Sequence, residues 1–234
     1  MSQECKIKDV EVVHQGKWLQ TELITYTDPN GTQRQWEGLS YAHKQTDPEM
    51  PDSVIVVPVL KRNLHHNCFV LVKQFRPPIA ACCLEFPAGM CDKNQESVHD
   101  VALRELFEET GYTGMIADET AVNLPTSLDP GSESPSTAIA NVIIDGDDPK
   151  NIDCKPHLDE GEFTEVVLLP VRGLLGRLKQ LVADSKTLLR IDSRLYALAL
   201  GLEMGITLNC KTKDYDNLDT HDSSTVGNVY LNKK

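Results

Sequence analysis

The chain has 234 residues, and its 23 Lys+Arg against 35 Asp+Glu give a formal charge of −12, with a sequence pI near 5.0. That balance disfavours non-specific binding to nucleic acid or to an anionic membrane, and no apolar run approaches the ~20 residues that cross a bilayer. The length suffices for one substantial core, with or without a small appendage.

Seven cysteines (Cys5, Cys68, Cys82, Cys83, Cys91, Cys154 and Cys210) form an odd set without paired Cys-x-x-Cys spacing. Free thiols in an intracellular protein are therefore expected, and Cys82, Cys83 and Cys91 read as small buried hydrophobes rather than ligands. The N-terminus lacks the apolar run of a secretory signal, so a cytoplasmic setting is expected, with the nucleus as the alternative.

Residues 1–50 read as a separate β-rich region. Leu19–Thr27 and Thr32–Tyr41 flank Asp28-Pro29-Asn30-Gly31, a hairpin turn. Both tryptophans of the chain fall here, Trp18 before the hairpin and Trp36 on its second strand. They read as core or interface anchors or as rings that stack on a planar ligand. The polar segment 45–52 reads as a linker.

A second region over 51–207 opens with strands at Ser53–Leu60 and Cys68–Phe75. The connection between them carries His65 and His66, read as solvated loop residues. A short strand at Leu84–Phe86 leads into the loop Pro87-Ala88-Gly89 and then a helix that ends at Gly111. Strands follow at Thr113–Asp118, Thr137–Ile144 and Phe163–Leu169. Helices follow at Val171–Ala183 and Ser193–Leu202, the latter with Asp192 as N-cap. Residues 208–234 are polar and expected to form a disordered tail. The elements lack a regular strand–helix rhythm, so the fold class is α/β (α+β): a mixed sheet grouped around one helix.

That helix carries the chemistry. At about 100° per residue, Glu105, Glu108 and Glu109 share one side, while Leu103, Leu106 and Phe107 lie roughly opposite. Three carboxylates so placed repel, and they sit near a helix C-terminus, where the macrodipole disfavours anions. Arg104 supplies one compensating charge, and a divalent cation would supply more. Mg²⁺ suits carboxylate oxygens and brings phosphates with it. A solvated acidic face is the plain alternative, and the Pro-Ala-Gly loop with Glu96 upstream argues against it.

Glu96, then Arg104-Glu105-Leu106-Phe107-Glu108-Glu109-Thr110-Gly111-Tyr112 after seven residues, resembles the Nudix box. Six residues rather than five separate Gly89 from Glu96, so the chain departs from the pattern in the loop before the helix. Further segments are similar in order to the ADP-sugar (ADP-ribose) pyrophosphatases of that superfamily. They are Gly16-Lys17-Trp18, Thr32 to Glu37, Val72 to Pro78, Glu85 to Gly89, Asp129-Pro130-Gly131 and Gly161-Glu162-Phe163.

The resemblance implies a Nudix α/β/α sandwich with a mixed sheet, preceded by a small N-terminal antiparallel β domain. It implies Mg²⁺ (Mn²⁺ as a substitute) held by the Ala88 carbonyl, Glu105 and Glu109, with Glu108 and Arg104 in the same cluster. It implies substrate contacts from Trp18, Trp36, Glu37, Arg76, Met90 and Asp129, and Glu162 as the base acting on water. From the residues alone, Glu162 reads as a solvated loop acid, and Glu160 is an equal candidate for the base.

The resemblance further implies a homodimer in which Trp18 comes from the partner, and a nucleotide-sugar substrate. Where similar proteins have a phosphate-binding arginine, this chain has Tyr41, with His43 and Lys44 nearby. The expected reaction is hydrolysis of ADP-ribose and related ADP-sugars to AMP and a sugar phosphate. Oxidised nucleoside diphosphates are the alternative substrates, and a non-catalytic binding module is the alternative class.

Overall fold

The computed structural model describes residues 4–42, 50–91, 96–117, 124–159 and 161–207. The segment expected to be a disordered tail therefore lies outside the described residues, as do His43, Lys44, Glu160 and Cys210. The chain divides into two compact units, Met1–Asp192 and Ser193–Lys234.

The first three strands make a small antiparallel sheet in the order β1 (Lys6–Gln15), β2 (Leu19–Thr27), β3 (Gln33–Tyr41). The β2–β3 hairpin closes as its turn residues demand. The Asp28 carboxylate accepts from Asn30 and Thr32 N–H at 2.9 Å each and pairs with Arg34 at 2.8 Å, while Gly31 takes φ +84°. β1 lies outside the expected elements. Register shifts between Ile7 and Asp9 and between Val12 and His14 break the alternation that marks a strand in sequence.

The larger sheet is mixed. β4 (Ser53–Lys61) runs parallel to β10 (Ser136–Asp145) over nine pairs, from Ser53↔Thr137 to Lys61↔Asp145. β5 (Cys68–Arg76) holds β11 (Thr164–Pro170) along one edge. Its other edge is shared by the end of β4 and by β6 (Ala81–Glu85). The start of β4 pairs with β7 (Ala88–Met90), so the Pro-Ala-Gly loop is part of the sheet. Two short strands, β8 (Met115–Ile116) and β9 (Thr126–Ser127), lie on β10, and β12 (Leu189–Ile191) runs parallel to β6.

Helix α1 (Val98–Thr110) covers β4, β5 and β10. Its buried Val98, Val101, Ala102 and Leu106 pack on Val54, Val56, Val70, Ala138, Ala140 and Val142. Small residues at Ala102, Ala138 and Ala140 let helix and sheet approach closely. Phe107 shares the apolar side of the helix with Leu103 and Leu106, a side that should pack on a core, yet it is 39% exposed and stacks on His157 instead. Helix α2 (Leu174–Asp184) begins three residues later than its apolar pattern predicts, because Gly173 takes φ +71° at its N-cap. Taken by itself, the second unit's described part is helix α3 (Ser193–Thr207). No helix among the described residues is long and apolar enough to cross a membrane.

Candidate active site

α1 starts at a reciprocal cap. Ser97 Oγ accepts the Asp100 N–H at 3.2 Å and the Asp100 carboxylate accepts the Ser97 N–H at 3.0 Å. It stops at Gly111, in the left-handed region at φ +76°, where a Cβ would strike the Lys155 backbone.

Between these ends, the glutamates divide into two groups. Arg104 donates to Glu96 at 3.2 Å, to Glu105 at 2.7 Å and to Glu108 at 2.9 Å, and its Nη2 reaches the Met90 carbonyl at 3.5 Å. One guanidinium thus ties together both sides of the interval that carries the extra residue. Glu109 turns away from this cluster and is 8% exposed, with its Oε2 accepting the Ala88 N–H at 3.1 Å.

Gly89 gives the Glu105 carboxylate its seat, since a Cβ there would overlap it. Burial raises the Glu105 pKa, opposed by Arg104. Burial also pushes the Glu109 carboxyl up to about 8, the Ala88 N–H opposing and the charges of Glu105 and Glu162 adding to the rise. Glu162 lies on an exposed turn, and its charge adds a small part to the rise at both carboxylates. Arg76 opposes the rise at Glu109.

Arg76 is held by Glu85, a residue that sequence reasoning treated only as part of a motif. Its Nε and Nη2 donate to the two Glu85 oxygens at 2.8 Å each, and Glu85 is buried while Arg76 is half exposed. The fork leaves its remaining N–H groups for an anion. Cys83 lies beside this pair. Burial, then the Glu85 charge, pushes its thiol up to about 12, so it stays protonated and inert.

The N-terminal sheet is joined to the rest of the chain at the Asp129 loop. Trp36 Nε1 donates to the Gly131 carbonyl at 2.8 Å, and Leu39 N–H donates to the Ser132 carbonyl at 2.8 Å. The Asp129 carboxylate is occupied in shaping its own loop, accepting from Gly131 N–H at 3.3 Å and Ser132 Oγ at 2.6 Å. Trp18 and Trp36 are 69% and 52% exposed, Lys17 Nζ lies 4.5 Å from the Trp18 ring centroid, and Glu37 is exposed beside Trp36. Tyr41 is half buried, which raises its phenol, with the Asp52 and Glu133 charges adding. It therefore offers a neutral hydroxyl.

Among the described residues, no three His, Cys, Asp or Glu side chains are arranged to hold a metal ion together, because Arg104 draws Glu105 and Glu108 to itself. The donor chemistry still fits a hard cation. Two carboxylates of raised pKa, a third acid nearby and a glycine seat are an arrangement that added positive charge would relieve.

A NUDIX domain model matches residues 50–190, and the chain belongs to the Nudix hydrolases, a family that uses a divalent metal. It is 44% identical over 193 residues to an ADP-sugar pyrophosphatase of Mus musculus, covering 82% of this chain and 85% of that one. It is 30% identical over 190 residues to an ADP-ribose pyrophosphatase of Saccharomyces cerevisiae, covering 80% and 78%. Among solved structures, an ADP compounds hydrolase superposes with a TM-score of 0.58 at 20% identity over 90% of this chain and 98% of that one, a likeness of fold.

Proposed function

We propose that the protein hydrolyses the pyrophosphate of ADP-ribose and related ADP-sugars, releasing AMP and a sugar phosphate, which is ribose 5-phosphate when ADP-ribose is the substrate. The observations that support this most directly are the 44% identity to the mouse ADP-sugar pyrophosphatase and the acid site itself, with Glu109 buried against the Ala88 N–H and Glu105 seated on Gly89. The ADP moiety is suggested by the names of the mouse and yeast relatives.

In this reading Glu105, Glu109 and the Ala88 carbonyl hold Mg²⁺, with Mn²⁺ as a substitute. When bound, the cation neutralises pyrophosphate charge and makes water acidic enough to attack at neutral pH. Arg104 fixes Glu105 and Glu108, and Arg76, braced by Glu85, binds the pyrophosphate. Glu162 takes the proton of a water that attacks the adenosyl phosphorus in line. Trp36 stacks on adenine with Glu37 at the base edge, and Asp129 and the Met90 backbone contact the rest of the substrate. The setting is cytoplasmic or nuclear.

The strand register supports a homodimer. The Trp18 carbonyl accepts from Ala42 N–H at 2.9 Å, so Trp18 stands opposite Ala42, six residues along the chain from Trp36. At ~3.4 Å per residue that is about 20 Å, whereas two rings on the faces of one base are about 7–8 Å apart. Rings so far apart on one chain suit a base held between Trp36 of one copy and Trp18 of another. β1 offers such a copy a surface, being exposed along its length with Ile7, Val10, Val12 and Val13 outward.

The neutral Tyr41 favours one alternative, in which oxidised nucleoside diphosphates are the better substrates. A panel of ADP-ribose, other ADP-sugars and oxidised nucleoside diphosphates, assayed with Mg²⁺ and resolved by ion exchange, separates the two. AMP from ADP-ribose supports the proposal. Rapid turnover of an oxidised nucleotide without AMP from ADP-ribose refutes it.

A further inference from the structure

We infer that His157, stacked on Phe107, is a positioning residue that fixes the loop carrying Glu162 to the C-terminal end of α1. The inference rests on the reading of Glu162 as the base.

A helix leaves its last carbonyls without intrahelical partners. At the end of α1 the Phe107 carbonyl takes the Gly111 N–H at 2.7 Å, and the Glu108 carbonyl takes the His157 N–H at 2.7 Å. The Glu109 carbonyl takes the Thr164 hydroxyl at 3.4 Å. His157 precedes Glu162 by five residues and Thr164 follows it by two, so the segment is tied on both sides to the backbone of the helix that carries the metal-site acids.

The Thr164 tie is reinforced by the pairing of β11 with β5. The His157 tie has no sheet behind it. What accompanies it is the ring stack, with Phe107 and His157 centroids 4.5 Å apart and planes at 17°, within the range of offset aromatic pairs.

Two residues beyond His157 the chain enters the turn that holds Glu162. The Glu162 N–H donates to the Asp159 carbonyl at 3.1 Å and Glu162 Oε2 accepts the Asp159 N–H at 3.3 Å. Gly161 in this turn takes φ +93°, with open space where a Cβ would sit. The position of the Glu162 carboxylate relative to Glu105 and Glu109 is thus set from both sides, by Thr164 on β11 and by the anchor at His157, and only the second depends on the ring stack. Phe107 and His157 are exposed, so neither is required for the core, and this explains an aromatic placed outward on a helix whose apolar face is otherwise buried.

The test is steady-state hydrolysis of ADP-ribose with Mg²⁺ by full-length variants, with thermal unfolding recorded for each. His157→Ala lowers kcat by about tenfold with KM within about twofold, since a small misplacement of a catalytic group weakens catalysis more than binding. His157→Phe, which keeps the stack, restores kcat to within about twofold, and Phe107→Ala reproduces the loss from the other side. In a Glu162→Gln background His157→Ala has no further effect, because the two act as a unit.

Wild-type kcat in His157→Ala and Phe107→Ala overturns the inference, as does failure of His157→Phe to restore activity or a loss that persists in Glu162→Gln. If Glu162→Gln itself keeps wild-type kcat, the base assignment fails and the inference with it. If Glu162→Gln is slow and His157→Ala is not, only the inference fails.

Discussion

Glu109 enters the fold as a carboxyl with little solvent around it, one backbone N–H as a partner and two like charges within reach. Burial is the largest influence and pushes its pKa to about 8. In the unfolded chain the group is ionised above about pH 4.5. The native state therefore binds more protons than the unfolded state between these limits, and the Glu109 contribution to stability falls as pH rises through that window. The carboxyls whose pKa is lowered, Asp28 and Asp100, have completed their contribution at lower pH, so from pH 6 to 8 the Glu109 trend stands clear of theirs. Thermal unfolding of the metal-free protein should show a midpoint that falls over pH 6–8, and excess Mg²⁺ or Glu109→Gln should flatten it. A midpoint that rises over that range in metal-free protein contradicts the assigned environment.

At the scale of elements, α1 and the loop before it are one device. Gly89 sits on β7 so that the Glu105 carboxylate can lie against backbone, and a Cβ there would overlap it. Gly89→Ala should leave the fold intact and lower kcat/KM by about 100-fold, the scale on which misplaced catalytic groups act. Activity within about threefold of wild type would show that the seat is dispensable. Ser97→Ala removes the cap and should cost about 1 kcal/mol in urea unfolding with little change in kcat.

Much of this was legible in the residues. The Asp28–Gly31 turn, the run of β4 and β5, the helix between Ser97 and Gly111, and the acid cluster all follow from periodicity and punctuation. The rest was not, for physical reasons. β1 is masked by its register shifts, and β7 and β12 are three residues each, too short for a period. Glu85 was legible only as part of a strand and a motif, and its fork to Arg76 emerges only when β5 and β6 pair. Phe107 follows the apolar helix pattern, and only the fold reveals that a histidine from a distant loop covers it.

At the scale of the whole molecule, the residues proposed for chemistry and those proposed for recognition fall on different parts of the chain. The acids and Arg76 lie on the Nudix domain and its edge loops, while Trp36 lies on the small sheet and Trp18 in the bend between β1 and β2, the sheet being joined to the domain by the Trp36–Gly131 contact. If Trp18 of one copy completes the site of the other, inactive chains should complement. Trp18→Ala mixed with Glu109→Gln, after subunit exchange, should recover activity at low ADP-ribose that neither has alone. A monomeric mass by light scattering at micromolar concentration, with activity intact, would contradict the shared site.

The most direct test of the central claim is the product analysis of ADP-ribose incubated with Mg²⁺ and either the wild-type protein or Glu109→Gln. The wild type should give equal amounts of AMP and ribose 5-phosphate, and Glu109→Gln should be slower by about 100-fold or more. Absence of AMP from the wild type, or wild-type turnover by Glu109→Gln, would contradict the account.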